Sequence, residues 1–195
     1  MRIWPEALRP PHRAHWVLAS GCRRELQCAA KTRHFPFCLN ELLQNVFEWS
    51  NSRVGCFVLA RWFKQTRSVR LAVVDRGIGI PAALRRAQIQ DLQRSDDAAV
   101  IEAAASRPHL TSRANQVGGL GLKTIRELVC QRGGSLTILS LDAKVRWSGS
   151  EIFRQKKVPR FRGTGIEIEF RPDAMPSGAV RPPGEPYPED ANWIF

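Results

Sequence analysis

Four short segments follow one another in a fixed order along this chain: ELLQN at 41–45, DRGIGIP at 75–81, GGLGL at 118–122 and GT at 163–164. The glycines in three of them allow the backbone to turn sharply or to approach another group closely, where a side chain would block it. The fold must therefore accommodate a tight strand-to-helix turn, a helix entry and a strand entry in sequence. Two common glycine-rich nucleotide folds fail this test. Gly121-Leu122-Lys123-Thr124 ends like a Walker A loop, but Leu122 stands where that loop needs glycine before the lysine. No G-x-G-x-x-G opens a helix after a strand, so a dinucleotide-binding reading also fails.

The elements around these segments read as mixed α and β. Leu39, Leu42, Leu43, Val46 and Phe47 fall at helical spacing between 37 and 50. The apolar, β-branched runs 54–63 and 69–75, joined by the polar turn 64–67, predict an antiparallel hairpin. Pro81 suits a helix start. Helices are expected over 82–94 and 96–105, the second capped by Ser95 or Asp96. A further helix over 120–132 should close at Gly133-Gly134. Segments 135–140 and 144–147 read as strands paired with each other, 149–162 as a basic excursion, and 165–170 as an alternating last strand.

Before and after this region the pattern weakens. Residues 1–33 read as a basic, loosely organised extension with at most a short helix near 22–30. Residues 171–195, rich in proline, read as a disordered tail. The central 34–170 is one domain, as expected for 195 residues. No apolar stretch reaches membrane-spanning length, and the first residues lack the apolar core of a signal peptide. The five cysteines are widely spaced without a metal-binding pattern, which predicts reduced thiols in a cytoplasmic protein.

Chemistry concentrates in the four segments. Glu41 and Asn45 lie one helical turn apart on a stripe opposite the apolar face. Asn45 offers an amide oxygen to a hard cation such as Mg²⁺, and Glu41 can accept a proton from an attacking hydroxyl or water. Taken alone, this stripe is better described as an ordinary polar helix face. Asp75 ends an apolar strand, where a carboxylate needs a hydrogen-bond donor; an adenine amino group is one, and Gly77 and Gly79 let a base come close. Gly118, Gly119 and Gly121 precede a helix whose first N–H groups favour phosphate. Thr111, Ser112, Arg113 and Asn115 are polar enough to form a lid.

These segments resemble the boxes of the GHKL superfamily, which includes gyrase-type ATPases, ninety-kilodalton heat-shock chaperones, MutL-type ATPases and histidine-kinase catalytic domains. ELLQN is similar to the N box, DRGIG to the G1 box, GLGL to the G2 box and Gly163-Thr164 to the G3 position; the likeness runs from about 37 to 170. It implies a two-layer α/β sandwich of the Bergerat type, a mixed and mostly antiparallel sheet with helices on one face. It implies ATP and Mg²⁺ as cofactors. Asn45 would hold the Mg²⁺, and Asp75 would bond the adenine amino group with Thr164 in support. Gly77, Gly79 and Ile80 would shape the base pocket, and Thr111, Gly118, Gly119, Leu120, Gly121 and Leu122 would meet the phosphates. Glu41 matches the general-base position, and Trp49 a place where kinases carry an aromatic.

The chain departs from the pattern at Val117, where many members have glycine, and at Glu48, where some kinases have a phosphate-facing lysine. No histidine lies in a phosphoacceptor motif. The resemblance is strongest to compact regulators related to anti-sigma serine kinases. It implies a protein serine kinase or slow ATPase acting on a protein partner, such as a STAS-type antagonist or a sigma-like regulator, with homodimerisation open. A nucleotide-gated interaction module without turnover is the alternative. The net charge of +12 admits a third reading, a nucleic-acid binder using the basic patches at 2–33 and 154–162. Those patches lack interleaved aromatics, so a solvated arginine-rich surface is preferred to it.

Overall fold

The computed structural model describes residues 14–18, 34–108, 110 and 121–171. Five strands form one sheet in the order β1-β2-β3-β5-β4, with β1 Ala14–Leu18, β2 Cys56–Phe63, β3 Ser68–Asp75, β4 Ser135–Ser148 and β5 Glu151–Phe170. The β1–β2 pair is parallel and the others are antiparallel. The helices are α1 His34–Gln44, α2 Ile80–Arg86, α3 Asp97–Ser106 and α4 Gly121–Cys130. They cover one face: on β2, Cys56, Val58 and Ala60 are buried while Phe57 and Leu59 on the other side are 44% and 40% exposed. The molecule is thus the two-layer α/β sandwich expected from sequence. Among the described residues no helix is long and apolar enough to cross a membrane.

The helix–sheet interface is a single apolar core. Phe35, Leu39 and Leu42 of α1 meet Leu71 of β3, Ile138 of β4, Ile168 of β5 and Ile125 of α4, each no more than 1% exposed. A smaller cluster of Leu84, Leu92, Val100, Ala103 and Ala104 joins α2 to α3. Cys38, Cys56 and Cys130 are free thiols. Burial raises the pKa of all three, Cys56 to about 11, which keeps them protonated and unreactive at neutral pH. Cys22 and Cys28 lie outside the described residues.

Several boundaries differ from the sequence reading, each for a local reason. The segment read as a loose extension contains β1, which adds an edge strand beside β2. Helix α1 begins at His34 and continues over Asn45–Ser50 with wider, π-helical winding, until Asn51 adopts a left-handed conformation (φ 54°). The expected helix over 82–94 ends at Arg86, because Gln88 also turns left-handed (φ 57°). Only a single 3₁₀ turn, Gln90–Leu92, follows, and it carries Leu92 into the small cluster. Asp96 caps α3 as anticipated, its carboxylate accepting from the Ala99 N–H at 2.9 Å. Gly133 (φ 68°) closes α4, with the Gly134 N–H donating to the Val129 carbonyl.

The largest difference lies in β4 and β5. Segments 135–140 and 144–147 do not pair with each other. They are one strand, and both pair with β5, which absorbs the basic stretch 151–162. Left-handed Leu141 (φ 53°) and the register shifts around it keep Ala143, Val145 and Trp147 facing the core after Leu136 and Ile138. The strand curls so far that the Arg146 guanidinium lies 3.5 Å from the Ser135 hydroxyl, eleven positions earlier. The β5 cations over this arm find carboxylates: Arg154 grips Glu102 at 2.5 and 2.8 Å, Lys156 reaches Asp96 at 2.7 Å and Arg160 reaches Asp142 at 3.1 Å.

Candidate functional site

The sheet brings two of the four segments directly together. In register, Asp75 of β3 sits opposite Thr164 of β5, and Thr164 sits opposite Ser140 of β4. These three side chains form a polar row across three strands, and Asp75, Thr164 and Ser140 are 4%, 7% and 0% exposed. Above the row lies a cavity of about 430 Å³, within the range of small-molecule sites. Val73 and Ile166 line it from the sheet, and Ile80, Ala83, Leu84, Ala104 and Leu122 provide apolar wall. Helix α1 and its π-helical extension supply Glu41, Asn45, Glu48 and Trp49. Gly79, Gly121 and Thr164 line it as well.

Each glycine of the second and fourth segments has a steric reason. A side chain at Gly77 would overlap the Ser50 carbonyl, which accepts from the Ile78 N–H at 2.8 Å. Gly77 therefore stands behind Asp75 rather than on the cavity wall, and its N–H donates to the Asp75 carboxylate at 2.7 Å. Gly163, at φ 132°, leaves no room for a Cβ against the Asp75 backbone carbonyl. The two turns are thus packed against each other with Asp75 between them.

Burial pushes the Asp75 carboxyl up to about 6, against the pull of the Gly77 and Thr164 backbone N–H groups. At neutral pH it is mostly ionised and poorly solvated, which suits a ligand bearing N–H groups. On the opposite wall the Asn45 Nδ2 is buried without a hydrogen-bond partner. An orphaned buried N–H donor beside a cavity is the other group that a ligand would satisfy, with an acceptor such as a phosphate oxygen. The Glu41 carboxylate lies against the Cα of Gly121, so closely that a side chain there would overlap it. Glu41 and the start of α4 are therefore adjacent on one rim.

The described lining carries three carboxylates, Glu41, Glu48 and Asp75, and no lysine or arginine. That is unexpected in a chain of net charge +12. No cluster of three or more His, Cys, Asp or Glu able to hold a metal unaided occurs among the described residues. Of the site residues expected from sequence, Glu41, Asn45, Trp49, Asp75, Gly79, Ile80, Gly121, Leu122 and Thr164 converge on this cavity. Thr111, Gly118, Gly119 and Leu120, with the lid residues Ser112, Arg113 and Asn115, lie outside the described residues. Sequence reasoning missed Ser140. Its only signal is one of two hydroxyls, Thr137 and Ser140, in the otherwise apolar run LTILSL.

No protein-family model matches the chain, and no curated protein matches it. Among solved structures, it is similar to the 43K ATPase domain of Thermus thermophilus gyrase B, determined in complex with an aminocoumarin. The TM-score is 0.43 and the sequence identity 16%. The match covers 76% of this chain and 37% of that one, so this chain spans well under half the length of that protein.

Proposed function

We propose that this chain is an ATP·Mg²⁺-binding regulatory domain of the GHKL type, acting as a protein serine kinase or slow ATPase on a protein partner. The observation that carries the reading is the buried, ionisable Asp75 beside Thr164 on the floor of an apolar cavity, facing the Glu41–Asn45 stripe. Asp75 accepts the adenine amino group, and the aliphatic wall takes the faces of the base. The residues present fit a Mg²⁺ that arrives with the nucleotide. The Asn45 side chain pairs an oxygen able to bind the ion with an unsatisfied Nδ2 donor suited to a phosphate oxygen, and a rim of carboxylates admits a triphosphate only with its charge offset. Bound Mg²⁺ would supply that neutralisation, and Asn45 with Glu41 would face it.

In the kinase form of the reading, Glu41 takes the proton of an attacking serine hydroxyl. The hydroxyl oxygen forms a bond to the γ-phosphorus as the bond to the β-phosphate oxygen breaks, and ADP leaves. In the ATPase form, water replaces the serine. Positioning and charge supply most of the rate enhancement in either case. The partner, a STAS-type antagonist or sigma-like regulator, follows from the sequence resemblance alone.

One observation favours a second reading. The Glu41 carboxylate is packed against the first residue of α4, where a carboxylate also stabilises a helix N-terminus. If that is its whole role, the domain is a nucleotide-gated interaction module without turnover. Phosphate release and transfer by wild type and Glu41→Gln separate the two. The kinase or ATPase reading expects slow turnover in wild type and a loss of about a hundredfold or more in the variant, with ATP affinity retained. Equal turnover in both removes Glu41 as the base. ATP binding without turnover in wild type, with or without a partner, establishes the gated module instead.

A further inference from the structure

The row Asp75–Thr164–Ser140 raises a question of proton direction. A serine hydroxyl carries one proton and two lone pairs. The Ser140 Oγ lies 2.8 Å from the Gly163 carbonyl, 3.1 Å from the Ile80 N–H and 3.3 Å from the Thr164 Oγ1. The Gly163 carbonyl can only accept, so it takes the serine proton. The Ile80 N–H can only donate, so it fills one lone pair. The remaining contact closes only if Thr164 donates its proton to Ser140. The Thr164 hydroxyl then has no proton left for the cavity and presents lone pairs alone.

We infer that Ser140 is a positioning residue for base selection: it fixes Thr164 as a hydrogen-bond acceptor, so that Thr164 and Asp75 together admit a purine with an amino group at position 6 and reject one with a carbonyl there. The inference rests on the nucleotide reading above and deepens it. Both protein groups facing that edge are then acceptors. The 6-amino group of adenine has two N–H bonds, one for each, directly or through a water. The 6-oxo group of hypoxanthine or guanine is an acceptor and would meet two more. Ser140 touches no base. It lies fully buried behind Thr164 and also ties the turn at Gly79-Ile80 to the turn at Gly163.

The test uses Mg·ATP and Mg·inosine triphosphate, which differ at position 6 and the adjoining ring nitrogen, titrated into the full chain. Wild type is expected to prefer ATP by about a hundredfold or more. Ser140→Ala frees the Thr164 hydroxyl to rotate and donate, and the preference should shrink about tenfold. A merely structural serine would weaken both nucleotides alike and leave the ratio unchanged, which would overturn the inference. Thr164→Val gives an independent arm that does not require the serine variant to fold. Removing an acceptor should relieve the penalty on inosine triphosphate, whereas a larger penalty would mean that Thr164 donates in wild type and the inference is wrong. In the double variant, Ser140→Ala should add no change in ratio to Thr164→Val; an added change would contradict the assigned route. Absence of any nucleotide binding by wild type overturns the nucleotide reading itself, and this inference with it.

Discussion

The Asp75 carboxyl holds its proton to higher pH in the fold than in the unfolded chain, because burial lifts it from 3.8 to about 6. Its contribution to stability is therefore greatest below the unfolded value and is lost as pH rises through about 6. Relative to Asp75→Asn, wild type should lose up to about 3 kcal/mol between roughly pH 4 and pH 7, measurable by urea unfolding of both proteins across that range. A flat difference would mean that Asp75 is not desolvated. Ligand binding should run the opposite way, since the ionised form accepts the amino group. Affinity for Mg·ATP should fall about tenfold per pH unit below about 6. Gly77→Ala tests the packing behind this group: it forces a methyl into the Ser50 carbonyl and should cost about 1–3 kcal/mol in the same unfolding assay. Asp75, Gly77 and Thr164 were legible as residues because their types and order are distinctive. Ser140 was not, because its partners lie 23, 24 and 60 positions away and only strand register unites them.

At the scale of elements, periodicity located α1, the β2–β3 hairpin and α3, whose apolar faces repeat cleanly. It failed at β4 and β5, because the buried residues of the curled arm come mainly from β4, while of the facing β5 positions only Ile152 packs against the core and the others carry Arg154 and Lys156. Those cations lie against the carboxylates of α3 and its cap, Glu102 and Asp96, which the local sequence cannot reveal. The Arg154 contact holds Glu102 below the usual carboxylate range, and the Lys156 contact does the same for Asp96. The arm should owe its stability to packing rather than to these pairs. Trp147, 2% exposed, should cost about 3–5 kcal/mol on replacement by alanine. Its Nε1 has no partner, so Trp147→Phe should cost about 1 kcal/mol or less. Arg154→Ala, on a partly exposed pair, should cost far less than the loss of the tryptophan. Chemical unfolding of the three variants orders them; an arginine effect as large as the tryptophan effect would contradict the packing account. The pairing also accounts for three cations of the basic stretch, Arg154, Lys156 and Arg160, which face carboxylates within the fold.

Across the whole molecule, the sheet order brings together what the sequence separates. Strand β5 inserts between β3 and β4, so that Thr164 falls between Asp75 and Ser140, while α1 crosses above with Glu41 and Asn45. The mixed α and β character was readable from the order of helices and strands, and the two-layer sandwich from the resemblance that the four segments carry, but this insertion was not, because no local pattern encodes which strand lies beside which. The measurement that bears most directly on the account is a calorimetric titration of Mg·ATP into wild type and into Asp75→Asn. Because the Gly77 and Thr164 N–H groups point at this side chain, asparagine must set its own N–H against a backbone donor or against the adenine amino group. The account predicts saturable binding in wild type and a loss of about a hundredfold or more in the variant. No binding in wild type, or equal binding in both, would contradict it.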